Sequence, residues 1–202
     1  MCPMLADQAQ KQAGQAGEEL VRDQLRTLQG DLISGFFRTD NLSCAGRQVQ
    51  LDFLLMVPSI GLVLLEVKTW KGTIRANADD KWEREVNNFT NRFANGSLQV
   101  LRAAGLVLQM LEQERINRWP VRALVVFTHD PATIFIASGD QAPQTDIVRL
   151  SGLADWMKSN AHPEHRHRFQ PHDFDQIRAM ISKYHMPYVE QTLKAQVGDR
   201  TI

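Results

Sequence analysis

The sequence predicts an α/β domain, a central mixed β-sheet flanked by helices, and three observations predict it. Segments with helical spacing of apolar residues alternate with extended apolar runs in the order α, β, β, (β), α, β, β, α. No internal repeat or long low-complexity stretch interrupts them. A chain of 202 residues, 43% of them hydrophobic, can bury a core without disulfides or a structural metal.

In chain order, Leu20, Val21, Leu25 and Leu28 have the spacing of an amphipathic helix over 15–29, with Gly30 placed to stop it. Gln48 to Val57 and Leu62 to Trp70, separated by Pro58, Ser59, Ile60 and Gly61, read as an antiparallel hairpin. Trp82 falls in a short strand. Leu98, Leu101, Gly105, Leu108 and Leu111 mark a second helix running to about Asn117. Pro120 ends it and opens a buried strand from Val121 to Thr128. Further short strands cover Thr133 to Ala137 and Asp146 to Leu150, and Ser151 is placed to cap a helix through Lys158. The expected division is one domain over 1–158 and a second segment, 159–202. That segment holds a polar connector with His162, His165, His167 and His172, then a helix over Asp173 to Tyr184, a helical C-terminal extension packed on the same domain.

Charge narrows the function. Lys plus Arg number 23 and Asp plus Glu number 23, so the chain is no basic protein that coats nucleic acid by charge alone. The neutrality is a cancellation. Residues 86 to 122 hold five Arg against two Glu, whereas 123 to 157 hold one Arg against four Asp. No apolar run approaches the roughly 20 residues of a membrane span. The first fifteen residues lack the basic and apolar blocks of a secretory signal, so a cytoplasmic location is expected. Cys2 and Cys44 have no metal-ligand spacing and are expected to be reduced.

The hairpin is where the chemistry concentrates. Strand alternation puts Asp52 on one face of an otherwise apolar first strand, and puts Glu66 and Lys68 together on one face of the second. A turn centred on Ser59 sets Asp52 opposite Glu66. Like charges opposite one another destabilise a sheet, and burying either unpaired raises its pKa or costs several kcal/mol. The pair therefore calls for a cation. Lys68 can neutralise one charge, and paired carboxylates are also the usual oxygen ligands of Mg²⁺. On a helix ruler Glu18 shares the core-side face of Val21, Leu25 and Leu28, while Glu19 groups with Arg22, Asp23 and Arg26. Gly14 and Gly17 beside Glu18 permit close approach of backbone to a sheet or a ligand.

Gly14-x-x-Gly17-Glu18, Gln50-Leu51-Asp52, Glu66-Val67-Lys68-Thr69-Trp70-x-Gly72 and Asn95-x-x-x-Gln99 together resemble the NERD (nuclease-related domain) family of the PD-(D/E)xK nuclease superfamily, over about residues 14 to 128. Family members usually carry Asn-Pro before the motif glutamine, where this chain has Asn95-Gly96. The resemblance implies a restriction-endonuclease-like core and a metal-dependent nuclease acting on DNA or RNA. It implies Mg²⁺ or Mn²⁺ held by Asp52 and Glu66, Lys68 beside the attacking water, Glu18 as an accessory acid, and Gln99 orienting the site from the second helix. The carbonyl of Val67 could also face the metal. Such an ion stabilises phosphoryl charge as a Lewis acid and lowers the pKa of a bound water, while the Lys68 ammonium offers a point charge on a flexible stem.

Competing readings stand beside these. Asp52, Glu66 and Lys68 could form a solvated face with a cross-strand ion pair, and Gln99 could be a boundary residue of its helix. Arg92 and Arg102 are candidates to contact nucleic acid. The histidines at 162, 165, 167 and 172 allow a zinc reading, but they sit in a polar connector without cysteines, which favours solvated histidines. His129 is expected to be structural, and Trp70 and Trp82 to be core residues more than base-stacking platforms. The rival function is a non-catalytic module that binds nucleic acid or protein on the same fold. A third reading is a small-molecule phosphoesterase. A nuclease of this kind would have DNA as its expected partner, with a helicase or other DNA-processing protein in trans and a homodimer as one way to address two strands.

Overall fold

The computed structural model describes residues 3–116, 118–162, 164 and 169–186. Its centre is the predicted hairpin. Strands β4 (Phe53–Val57) and β5 (Gly61–Lys68) pair antiparallel from Val57↔Gly61 to Phe53↔Leu65, the register of a turn centred on Ser59. To one side β4 pairs antiparallel with β1 (Gly35–Arg38). To the other, β5 pairs parallel with β9 (Val121–Phe127), and β9 with β11 (Asp146–Arg149). The result is a mixed five-stranded sheet in the order β1-β4-β5-β9-β11, the core of a restriction-endonuclease-like α/β fold.

Parallel strands need a crossover, and helix α2 (Gly96–Gln113) lies in the one between β5 and β9. Both sheet faces are covered, which explains why β4 and β5 read as nearly continuous apolar runs. Leu54, Met56, Leu62 and Leu64 pack in the cluster that contains α2. Phe53, Leu55, Val63 and Leu65 pack with Val21 and Leu25 of α1 (Pro3–Leu28) and with Leu153 and Met157 of α3 (Leu153–Ser159). Burying each such side chain contributes roughly 1.5–3 kcal/mol. Helix α4 (Pro171–Tyr184) adds Ile177, Met180 and Ile181 to the α2 side.

Two smaller sheets flank this core. One joins β2 (Asn41–Cys44), β3 (Arg47–Gln50) and β12 (His185–Met186). The other has the order β10-β6-β7-β8, from β6 (Thr73–Ala76), β7 (Lys81–Val86), β8 (Phe89–Ala94) and β10 (Thr133–Ile136). The β2–β3 and β7–β8 loops are two-residue turns with positive φ at both positions, Ala45-Gly46 and Asn87-Asn88, the geometry that matches strand twist.

Several elements differ from expectation. Helix α1 begins at Pro3 and not near residue 15, which makes Gly14 and Gly17 interior to a helix. The single strand expected over 48–57 is two, β3 and β4, broken at Leu51 and Asp52. The pairing register nevertheless runs unchanged through the break: Thr39 N–H donates to Asp52 O and Leu51 N–H to Asp40 O, so 35–57 is one long bent hairpin. The second helix buries Val100, Ala103, Val107, Met110 and Leu111, whereas Leu98 and Leu101 are half-buried and Gly105 and Leu108 exposed. Ser151 does not cap α3; its hydroxyl donates to Asp130 Oδ1, and Leu150–Gly152 form a 3₁₀ turn before the helix. The last helix starts at Pro171, two residues before the expected Asp173, behind a capping box of Gln170 and Asp173. His165 and His167 lie outside the described residues. No helix among those described is long and apolar enough to cross a membrane.

Candidate active site

Beyond the last paired rung of β4 and β5, the two strands leave the hydrophobic core and their polar residues converge. Asp52, at the β3–β4 bend, is held in place by its own backbone and by Thr39, whose hydroxyl donates to Leu51 O at 2.5 Å. Its side chain accepts from Val67 N–H at 2.6 Å, which ties the bend to β5. Glu66 and Lys68 share the face of Leu62 and Leu64, and Lys68 Nζ donates to Glu66 Oε1 at 2.6 Å. The same ammonium donates to Gln99 Oε1 at 2.6 Å and lies 5.4 Å from the Trp70 ring centroid. Asp52 and Glu66 are each 7% exposed and Lys68 9%, so the solvated-face reading of this hairpin does not hold.

Gln99 reaches the lysine because it begins the line Gln99, Ala103, Leu106, Met110 along the sheet side of α2. The helix is aimed by Asn95, whose side chain accepts from Leu98 N–H and donates to Asn77 O and Asp79 O. Gly96 is the first helical residue, and a Cβ there would meet Lys68 Cε at 3.0 Å and Trp82 at 3.2 Å.

Glu18 comes from α1. A Cβ on Gly17 would overlap the Thr69 side chain, so glycine is what lets α1 lie against the end of β5 and bring Glu18 to the cleft. Glu18 is half-buried and paired with Arg38 of β1 at 2.8 Å. Burial raises its pKa, opposed by the Arg38 guanidinium. Asp52 is pushed up to about 7, first by burial and then by the Glu66 charge, with the Val67 N–H and Lys68 pulling the other way. Lys68 Nζ can balance only one of the two buried carboxylates, so an uncompensated negative charge stands there once Asp52 ionises.

These groups line a cleft of about 460 Å³. Glu18, Asp52, Glu66, Val67, Lys68 and Gln99 all border it. Five of these were expected as site side chains, and Val67 for its carbonyl. In an extended strand the N–H and C=O of one residue share an edge. The Val67 carbonyl therefore lies on the edge of β5 where its N–H meets Asp52, beyond the last paired rung at Leu65. Among the described residues no group of three or more His, Cys, Asp or Glu side chains stands at metal-binding spacing. The oxygen set of Asp52, Glu66 and the Val67 carbonyl nevertheless fits a hard divalent ion such as Mg²⁺, which binds one or two carboxylates and keeps several waters. The excess negative charge is what such an ion would neutralise.

Other expected residues fall elsewhere. Arg92 is exposed on β8 and engages Glu83 at 2.8 Å. Arg102 is exposed on α2, on a separate groove beside Arg47 and Val49. Trp82 is fully buried in the core, and Trp70 packs edge-on to it at 6.4 Å while also bordering the cleft. His129 follows β9, where its carbonyl accepts from Ala132 N–H. The structure adds Arg38, Lys71 and Arg84, which the sequence reading passed over. Lys71 lies between Trp70 and Gly72, and Arg84 is two residues after Trp82 on the same strand face. Those were the available signals.

Compared with known proteins, the chain matches one family model, the nuclease-related domain (NERD), over residues 13–128, more than half its length. No curated protein and no solved structure matches it.

Proposed function

Because the chain belongs to the NERD (nuclease-related domain) family, we propose that it hydrolyses phosphodiester bonds of DNA, or of RNA, with Mg²⁺ or Mn²⁺ held by Asp52, Glu66 and the Val67 carbonyl. The observation that carries this reading is the burial of Asp52 and Glu66 around a single ammonium at the base of an open cleft. A purely structural pair would need either full neutralisation or solvent.

Bound there, the ion would supply Lewis-acid stabilisation of phosphoryl charge and a bound water of lowered pKa. The chain's own residues do the rest. Glu66 and Gln99 hold Lys68 Nζ between two acceptors at 2.6 Å each, which uses two of its three N–H donors. The third is left for an incoming water or a phosphoryl oxygen, where a fixed positive charge stabilises charge that develops in the transition state. Val67 N–H fixes the Asp52 carboxylate, and Arg38 fixes Glu18 at the cleft margin. A DNA-processing partner in trans, such as a helicase, would deliver the strand.

The test is hydrolysis of DNA by the purified chain with Mg²⁺ or Mn²⁺, compared with Asp52→Ala, Glu66→Ala and Lys68→Ala. Each variant should lose activity by about 10²–10³-fold or more, the scale of removing one electrostatic contact to the transition state. Activity equal to wild type in all three would identify a contaminant and end the assignment.

A further inference from the structure

The cleft contains cations that the metal chemistry does not use. On β7 the side chains alternate, so Glu83 and Glu85 face one way while Trp82 and Arg84 face the other. The outer face is neutralised: Glu83 pairs with Arg92 at 2.8 Å and Glu85 with Arg75 at 3.3 Å. On the inner face Arg84 borders the same cleft as Asp52 and Glu66, together with Lys71. Among the described residues neither Lys71 nor Arg84 has a carboxylate within ion-pair distance.

Arg84 is held in place without being neutralised. Its Nε donates to Lys71 O at 2.9 Å, and its guanidinium carbon lies 5.8 Å from the Phe93 ring centroid. These contacts fix the plane of the fork and leave the terminal Nη groups uncommitted. Gly72, at φ 88°, follows Lys71, and a Cβ there would overlap Glu85 O, so glycine lets the segment after β5 lie against β7 and brings the two cations together. A planar guanidinium beside an exposed ammonium is a donor set suited to a phosphodiester oxygen pair.

We propose that Lys71 and Arg84 form a second, metal-independent phosphate subsite that holds a phosphodiester neighbouring the one at Asp52 and Glu66. The substrate is then a polynucleotide strand and not a small phosphate ester. This rests on the nuclease reading for its purpose, but its test does not depend on hydrolysis.

The experiment is fluorescence anisotropy with a labelled single-stranded DNA of about 12 nucleotides, within the usual reach of a single-strand groove, in EDTA at low ionic strength. Wild type should bind. Arg84→Gln and Lys71→Gln should each weaken binding on the order of tenfold, equally for different base sequences, and each should lower the salt slope by about 0.7. Arg84→Lys, which keeps the charge and loses the fork, should fall between wild type and Arg84→Gln and so separates lost charge from lost fold. If wild type binds and both neutral variants bind equally well with the same slope, the subsite is refuted while the hydrolytic reading stands. If wild type fails to bind, the subsite is refuted too, and Mn²⁺-dependent cleavage of bis(p-nitrophenyl) phosphate then decides the hydrolytic reading alone. Binding that responds to the variants without any metal-dependent cleavage upholds the subsite and overturns the hydrolytic reading.

Discussion

The two ends of β5 are about equally buried and differ in what they bury. From Gly61 to Leu65 every side chain is apolar and packs against α2 on one face or α1 and α3 on the other. From Glu66 to Lys68 two charged side chains sit with comparably little exposure, beside a third, Asp52, from across the hairpin. The first end gains free energy from burial. The second spends it, because Asp52 and Glu66 would both be better solvated in the unfolded chain. Rigidity supplied by the apolar end is what holds the charged end together.

That contrast can be broken from either side. The largest effect should come from the apolar end: Phe53→Ala removes a fully buried ring that contacts Phe36 at 6.3 Å between centroids. It should cost about 3–5 kcal/mol, measured by urea unfolding, while divalent-ion affinity of the still-folded fraction stays near wild type. Loss of ion affinity without loss of stability would show that the two ends are not separable in this way.

The charged end should respond with the opposite sign. A carboxyl whose pKa in the fold lies above its ordinary value holds its proton more tightly when folded. Asp52 is therefore neutral and harmless below its ordinary 3.8, increasingly unfavourable as pH rises, and fully so above about 7. Asp52→Asn should stabilise the metal-free protein at pH 8, on the order of 1–3 kcal/mol, and make little difference near pH 4. Melting curves at the two pH values check this, and a variant less stable than wild type at pH 8 would overturn it. The same titration predicts that protons compete with the ion, so wild-type Mg²⁺ affinity by calorimetry should weaken as pH falls through about 7. The smallest effect belongs to the outer face of β7. Arg92→Gln removes an exposed pair with Glu83 and should change stability by no more than about 0.5 kcal/mol.

The parts of the site that local chain geometry determines could be read from the sequence. A three-residue turn fixes the hairpin register, so the approach of Asp52 to Glu66, with Lys68 on the face of Glu66, followed from the turn and alternation, although the ladder itself stops one rung short, at Phe53↔Leu65. Glu18 followed from a helix ruler. Nonlocal contacts were another matter. Nothing local shows that Arg38 pairs with Glu18, or that β7 brings Arg84 to the cleft. The strands β1 and β2 are four residues each and mix Gly, Arg, Asn and Ser with their apolar positions, so they carry little periodic signal. On α2 the expected stripe was right at Leu111 but drifted off the buried face at Leu98, Leu101, Gly105 and Leu108. The buried face is instead Val100, Ala103, Leu106, Val107, Met110 and Leu111, which mixes small and large apolar residues and so carries a weaker stripe in the sequence.

The parallel pairing of β5 with β9 has a consequence for how the protein is made. Leu62 meets Val121 only after the intervening sheet and helix have been synthesised, so the central strand must wait for its second neighbour. Until then β5 exposes an unpaired apolar edge, the kind of surface that templates aggregation during slow, nonlocal folding. The chain is therefore most vulnerable after β5 has emerged and before β9 pairs with it, and a truncation ahead of Val121 would leave that edge permanently open.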